Sequence, residues 1–543
     1  MSRLLRWPGP VLWVLFSVLL VVFAVRLTHT AFEKSLTADE PHYIGTGLYL
    51  WATGDYHFAS ALNLHPPLAY HLASVPLLFF DLEGLVIDRT VSRRLRTRGT
   101  PSAETIRVVS RLPFIALSLW GALLCFLWAR EVSGDAAGLL AAFLYTFSPM
   151  MLGNSALAHS DITATVFFLQ TLYAFWRWVV RPSPLRLALC GVSLGFGLIA
   201  KSTGVLLMAS LVLLFGVLAL RPWRATRTLP WVGPEAFGRR LGWLFGRGIV
   251  LLALSLGVFW MGYGGSFGMI AVEEGPIRDV VLPGYVQSLI VDSVINAGGR
   301  VAFLLGEFSE RGWWYYFPVA FAFKEPVAIV GLLVAALGSL AVRRGNLGWV
   351  IGVPAALYLG MALFWLDIPL GLRYVLPLFP LSFVFIATQL LPIEGRPMRV
   401  LLGCACAWLG VASVQIHPHY LAYFNELSGG PARGSEYLLD ANIDWGQDLS
   451  TLARYLTERG NPPVALAYFG PEPTENYGFA AYRSVGCVRL PGLVAISVNV
   501  MEGLYSARNP FARPKPGCYD WLREFEPVAQ PGYSIRVYEI PEH

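Results

Sequence analysis

The sequence predicts a polytopic α-helical membrane protein of about eleven transmembrane helices, with a small α/β domain outside the bilayer at its C-terminal end. Three observations carry this. Only 14% of the 543 residues are charged, against roughly 25% in an ordinary soluble domain, so a soluble chain of this kind would be unable to cover its own surface. The mean hydropathy is +0.54. The apolar residues gather in runs close to the length of about 20 residues that crosses a bilayer. Disorder, collagen, coiled coil and a disulfide-framework mini-protein are excluded by the same numbers. The net charge is +6, but the basic residues sit in short clusters between apolar runs. That is a topology signal and not a nucleic-acid face.

The first run, 9–27, follows Arg3 and Arg6. It is long for a signal-peptide core and no convincing small-x-small site follows, so it reads as an uncleaved anchor. Runs at 106–129, 136–153 and 161–180 come next, then an uninterrupted stretch over 187–220. This stretch is either one long tilted helix or two short ones meeting at Lys201-Ser202-Thr203. Arg181 and Arg186 precede it, and Arg221, Arg224, Arg227, Arg239, Arg240 and Arg247 follow. If both flanks are cytoplasmic, an even number of crossings lies between them, so the stretch splits in two. Runs at 249–267, 326–342, 348–366, 374–392 and 399–415 complete the set. Arg130, Arg177, Arg343, Arg344, Arg396 and Arg399 then fall on the same side, which puts the N-terminus inside and everything after about 416 outside.

The membrane domain is thus 1–415, with two long outer loops, 28–105 and 268–325. The first loop holds aromatic, amphipathic stretches at 43–51 and 68–80, suited to the interface plane. The second ends in Trp313-Trp314-Tyr315-Tyr316-Phe317, suited to the headgroup belt. In 416–543 the charge density rises, with a helix-like stretch at 448–459 and strand-like runs at 464–469, 492–498 and 533–540. Cys125, Cys190, Cys404 and Cys406 fall in spans. Cys487 and Cys518 share the outer domain, where an oxidising compartment permits a disulfide.

The chemistry-bearing residues also lie outside. Asp39-Glu40-Pro41-His42-Tyr43 and His65-Pro66-Pro67 belong to the first loop, and His159-Ser160-Asp161 joins the third and fourth spans. Each alone has a plain reading: a solvated cap, a turn, a helix N-cap. Together they place carboxylates and imidazoles on one face of the membrane, where ionisable groups are costly and functional. Lys201, Lys324 and Arg373 sit at outer helix ends, against the positive-inside trend. Snorkelling accounts for a lone lysine, whereas the fork of Arg373 suits phosphate. Carboxylates beside cations at the outer leaflet suggest a lipid-phosphate site with an adjacent acid or base. The stretches 417–426 and 440–449 read as an ordered junction, in which a chelating pair, His417 and His419, lacks an evident third ligand.

These motifs, in this order, resemble the multi-spanning glycosyltransferases of the C-type fold, in the bacterial branch similar to protein O-mannosyltransferases and aminoarabinose transferases, the phospholipid-carrier-dependent glycosyltransferases. Asp39-Glu40 with Tyr43 matches their first-loop acidic motif, and His65-Pro66-Pro67-Leu68 their histidine- or lysine-Pro-Pro element. Asp161 stands where a second acidic residue is expected. Gly197–Lys201 is similar to their helix-end lysine stretch, and Arg373-Tyr374 with Pro377 and Pro380 to a late-span Arg-Tyr pattern. The stretches 417–425 and 444–449 look like a signature of the bacterial subgroup.

The resemblance implies transfer of a sugar from a polyprenyl-phosphate donor to a lipid, glycan or protein acceptor, with inversion, at the periplasmic face of a bacterial inner membrane. Asp39 would be the general base, with Glu40 and Asp161 supporting it or binding acceptor or metal. Arg373, Lys201 and Lys324 would hold the donor phosphate, and Tyr43, His65 and His159 would bind acceptor or sugar. Whether a divalent metal takes part, on Asp39, Glu40 and His65, stays open. The rival reading is a lipid or sugar transporter or flippase, against which stands the absence of a clear internal repeat.

Overall fold

The computed structural model describes residues 9–56, 65–81, 101–220, 237–267, 269–271, 281–339, 347–391, 395–479, 481–506 and 517–542. The basic clusters at 3–6, 221–227 and 343–344 lie outside these residues. Each of the eleven expected runs is helical. Gly9–Glu33, Ala103–Ser133, Phe237–Gly262, Leu347–Phe364 and Arg396–Gln415 are long and apolar enough to cross a bilayer alone. Pro184–Ala200, Gly204–Leu220, Val327–Ser339 and Leu378–Leu390 are shorter apolar helices, and Ser160–Val180 completes the bundle. This is a multi-pass membrane fold.

Local chemistry sets the breaks. The third run was expected to be continuous but is bent by 62° between Asp135–Phe147 and Pro149–Ser155. Pro149 has no amide hydrogen to continue the ladder, and Ser148 turns extended and caps the new helix by accepting from the Met151 amide at 3.3 Å. The long stretch does split: the helix stops at Ala200, Lys201 is extended, and a new helix starts at Gly204. A side chain at 204 would meet the Gly197 carbonyl oxygen at 2.6 Å, so glycine there lets the chain double back.

The two amphipathic stretches of the first loop are helical, Glu40–Thr53 and Leu68–Ser74, but they pack on each other before they meet solvent. At the crossing, a Cβ on Gly47 would sit 2.0 Å from the Tyr70 carbonyl oxygen. Their far ends expose large apolar groups, at Trp51, Leu78, Phe79 and Phe80.

Beyond the last span, a helix, Leu449–Thr457, packs on a four-stranded sheet. The strand order is Ala481–Ser484, Val464–Ala467, Gly492–Ser497, Ile535–Ile540. The first two pairings are parallel and the last is antiparallel. Cys487 and Cys518 are joined as a disulfide beside it. The sheet domain is bound to the membrane domain through the first loop. Ser35 N donates to the Gln447 carbonyl and Ala38 N to the Trp445 carbonyl, both at 2.9 Å. Buried Lys34 reaches Asp448 and His419.

Candidate active site

Five segments meet where the helix ends gather: the loop before helix Glu40–Thr53, the 155–161 turn, the 201–203 break, the 371–375 turn and residues 440–448. Asp39 is the N-terminal cap residue of helix Glu40–Thr53, yet its side chain makes no capping hydrogen bond. Its carboxylate is 43% exposed and lies 3.4 Å from Nη2 of Arg373.

Arg373 is the hub. Its Nη1 donates to Asp161 Oδ2 at 3.0 Å, and its guanidinium lies 4.0 Å above the Trp445 ring and 5.2 Å from Tyr374. Burial works against its charge, and Asp161 and Asp39 more than restore it, so it stays protonated. Asp161 binds Lys201 through its other oxygen, and Lys201 lies 5.1 Å from the Tyr374 ring. The result is a chain of alternating charge: Lys201, Asp161, Arg373, Asp39. Among the described residues the buried Nε of Arg373 has no hydrogen-bond partner.

Several expected site residues take other parts. Glu40 is fully buried and saturated. Arg111 grips it with two hydrogen bonds of 2.7 Å, Ala158 N donates at 2.9 Å, and Thr37 donates from its backbone at 2.7 Å and its hydroxyl at 3.1 Å. Burial alone would raise its carboxyl, but Arg111 overrides this and holds it below the ordinary range. Glu40 therefore has no free lone pair for a proton, an acceptor or a metal. It is the staple that holds the Asp39 loop to the second span and to the turn between the third and fourth.

Lys324 is not brought to the cluster either. It is buried beneath the junction, donating to the Leu421 carbonyl at 2.6 Å and to the Asn442 carbonyl, 4.5 Å from the Phe424 ring. Burial pushes its ammonium down to about 7. His159 caps helix Ser160–Val180, its Nδ1 accepting from the Asp161 amide at 3.0 Å. Burial pushes it down to about 4, so the ring is neutral and its proton sits on Nε2. It packs 5.3 Å from Trp445 and has no exposed edge for a sugar.

Tyr43 and His65 do border the cluster. The Tyr43 hydroxyl is 2.8 Å from Ser160 Oγ, and its ring stacks on His65 at 6.4 Å. His65 Nδ1 is 3.5 Å from Ser202 Oγ, whose hydroxyl donates to Asp292. Burial and the Lys201 charge lower the His65 imidazole. Asp39, Glu40 and His65 do not converge, and among the described residues no three His, Cys, Asp or Glu side chains could hold a metal ion. His417 and His419 part as well: His417 bonds Tyr420 at 2.6 Å, while His419 turns to Lys34.

Sequence reasoning missed Arg111, Trp445 and Arg300. Arg111 was visible as a charge inside an apolar span, a signal of function or of a buried partner. Trp445 lay in a noted stretch with no assigned role. Arg300, from the second outer loop, lies within electrostatic reach of Asp440, Tyr374 and Asp39. Nothing in its local sequence marks it.

With the geometry in place, comparison with known proteins supplies the class. Residues 104–234 match the family of dolichyl-phosphate-mannose-protein mannosyltransferases. The whole chain shares the fold of an ArnT from Cupriavidus metallidurans, crystallised bound to undecaprenyl phosphate: 14% identity, 97% of each chain and a TM-score of 0.50. The apo form of that protein gives 12% identity, 98% of each chain and 0.49. An oligosaccharyltransferase of Archaeoglobus fulgidus gives 15%, 88% of this chain and 62% of its own, and 0.43. No curated protein sequence matches. The chain is therefore similar to the C-type glycosyltransferases in one segment of sequence and in its fold.

Proposed function

We propose that this protein is a membrane glycosyltransferase that moves a sugar from a polyprenyl-phosphate donor to an acceptor hydroxyl, with inversion. The observation that carries this reading is the exposed Asp39 carboxylate set 3.4 Å from the Arg373 guanidinium. A base and a leaving-group cation stand side by side at the end of a membrane bundle. The acceptor hydroxyl gives its proton to Asp39 as its oxygen bonds to the anomeric carbon. The bond from that carbon to the phosphate oxygen breaks on the opposite face, and the electron pair leaves with the phosphate. Arg373 meets the charge that builds there, where a preorganised cation is worth most. Asp161 and Lys201 fix the direction of Arg373, so that little reorganisation is needed during reaction. Tyr43 and His65 border this cluster, and Trp445 supports the Arg373 guanidinium from beneath.

The family matched by residues 104–234 bears the name of a lipid-phosphate mannose donor, and the structurally similar ArnT was crystallised with undecaprenyl phosphate. Both support a polyprenyl-phosphate donor. The basic clusters support an N-terminus inside, a site and sheet domain on the periplasmic face, and residence in a bacterial inner membrane. The acceptor is a lipid, glycan or protein.

The test is purified protein with a radiolabelled polyprenyl-phosphate sugar and extracted envelope acceptors. Transfer releases free polyprenyl phosphate and moves label to acceptor. A flippase would instead relocate intact donor across vesicles and release none, and that outcome would replace this reading.

A further inference from the structure

The last span, Arg396–Gln415, keeps an apolar face outside the bundle: Val400, Leu401, Trp408, Val411 and Val414 are all exposed. In a membrane span such a face meets acyl chains. Val411 and Val414 lie on the sheet-domain side of Trp408, so the hydrocarbon that covers them passes beyond the indole. At a rise of 1.5 Å per residue, Trp408 is about 10 Å short of the Gln415 end of the helix. Yet Trp408 Nε1 donates to Glu426 Oε1 at 3.0 Å, and Glu426 comes after the span. The chain has left the helix, turned, and come back alongside it. The returning segment closes its own polar groups and those of its neighbour. Helix Tyr316–Lys324 and its cap residue Glu325 end in carbonyls that lack intrahelical donors, and Asn425 takes three of them. Its amide donates to the Phe323 carbonyl at 2.9 Å, and its Nδ2 to the Ala322 and Glu325 carbonyls at 2.6 and 2.7 Å. Asn425 Oδ1 accepts from Leu427 N at 3.0 Å, and its carbonyl from Ser428 Oγ at 2.8 Å. What the turn leaves outside is Leu427, 64% exposed and next in sequence to the partner of Trp408.

We infer that residues 423–428 re-enter the leaflet on the sheet-domain side, with Leu427 set among the acyl chains of its phospholipids. The junction is then a membrane-binding surface and not a tether in water. Depth is the first argument: Glu426 is bonded to a side chain on the lipid-facing side of the last span, with exposed apolar residues beyond it. The second is the backbone. Lipid offers no partner to an open carbonyl or amide, and Asn425 closes those at the turn. The third is the Glu426–Trp408 pair itself. An indole N–H can only donate and a carboxylate at membrane depth is costly alone, so each supplies what lipid withholds from the other. Farther along, Arg433 and Glu436 form an exposed ion pair at 2.7 Å, as suits a chain that has returned to water. The sheet domain is thus held to the membrane by its own junction as well as by the first loop, at the depth of a few ångströms typical of interfacial segments.

The test uses the full chain in phospholipid nanodiscs, with Cys404 and Cys406 replaced by alanine. Cys125 and Cys190 are buried, and Cys487 and Cys518 are bonded to each other, so a single added cysteine takes a fluorophore selectively. Leu427→Cys is compared with Val411→Cys on the last span and Val528→Cys in the sheet domain, all at exposed positions. Each label is quenched in turn by phospholipid carrying a doxyl group on its acyl chain and by aqueous iodide. The expected result is doxyl quenching at Leu427→Cys close to that at Val411→Cys, with iodide quenching several-fold weaker than at Val528→Cys. If Trp408 instead marks the headgroup belt and the segment lies in water, Leu427→Cys matches Val528→Cys with both quenchers. Values at Leu427→Cys nearer to those of Val528→Cys than to those of Val411→Cys overturn the inference. Because the label replaces an exposed side chain, a melting temperature equal to that of the two reference proteins shows that the segment is probed in the folded state.

Discussion

Burying a carboxylate costs several kcal/mol unless charge and hydrogen bonds replace its water. Glu40 receives both from Arg111, whose remaining donors go to the Ala31, Lys34 and Ser35 carbonyls at 2.7–3.0 Å. Among the described residues, its half-exposed neighbour Asp39 has a single ion pair, with the Arg373 guanidinium 3.4 Å away. On the proposed mechanism the two adjacent acids have opposite uses, one architectural and one chemical, and the sequence pair alone does not say which is which. Glu40→Gln should strand the Arg111 charge and cost about 3–5 kcal/mol of stability, read as a lower melting temperature, while activity per folded molecule stays near normal. The pH dependence has a definite sign. The folded Glu40 carboxyl lies below its ordinary value of 4.5. Its contribution is therefore fully present above about pH 4.5 and is lost as the pH falls through the lower folded value. Wild type should lose this stability on acidification, and Glu40→Gln should show a flatter profile in that window.

The spans and three strands of the outer sheet were legible because their signals are local, whereas the edge strand Ala481–Ser484 was not expected. Apolar runs of span length and the reversal at Lys201 each follow from a few adjacent residues. The bend at Ser148-Pro149 was legible too, but its run was read by hydropathy alone, which does not see a missing amide. What the sequence hid is the way one element touches another. Lys34 bonds Asp448 across a separation of 414 residues, and Arg26 bonds Tyr420 at 2.8 Å across 394. No periodicity reports such pairs. Lys34 is one of only four lysines in the chain, and nothing beside it in sequence marks its partner. The Lys34–Asp448 bridge is sealed, with Ser534 and Gln447 completing Asp448 at 2.7 and 2.8 Å. Burial opposes charge on Asp448, and Lys34 holds its carboxyl well below the ordinary range. Asp448→Asn should leave a buried ammonium uncompensated and cost about 3–5 kcal/mol. Limited proteolysis should then cleave the sheet domain from the bundle faster than in wild type. Unchanged cleavage would show that the backbone bonds at Ser35 and Ala38 suffice.

At the scale of the molecule, the fold is a converter of distance. Asp39, Asp161, Lys201, Arg373 and Trp445 span more than 400 positions of sequence, and the bundle returns each to the same end because consecutive spans alternate in direction. The gathering of its acids and cations on one face was readable from that alternation, whereas the class of the protein was read from the resemblance of its motifs to a known family. The division of labour within the cluster was not, since it depends on which carboxylates the core saturates. The central claim is that Asp39 alone is left as the base. Its measure is Asp39→Asn, which keeps shape and hydrogen bonding but cannot take the acceptor's proton. Turnover of labelled donor should fall by about 10²–10⁴, while undecaprenyl phosphate binding and melting temperature stay close to wild type. Near-normal turnover by well-folded Asp39→Asn would contradict the mechanism and return the transporter reading to first place.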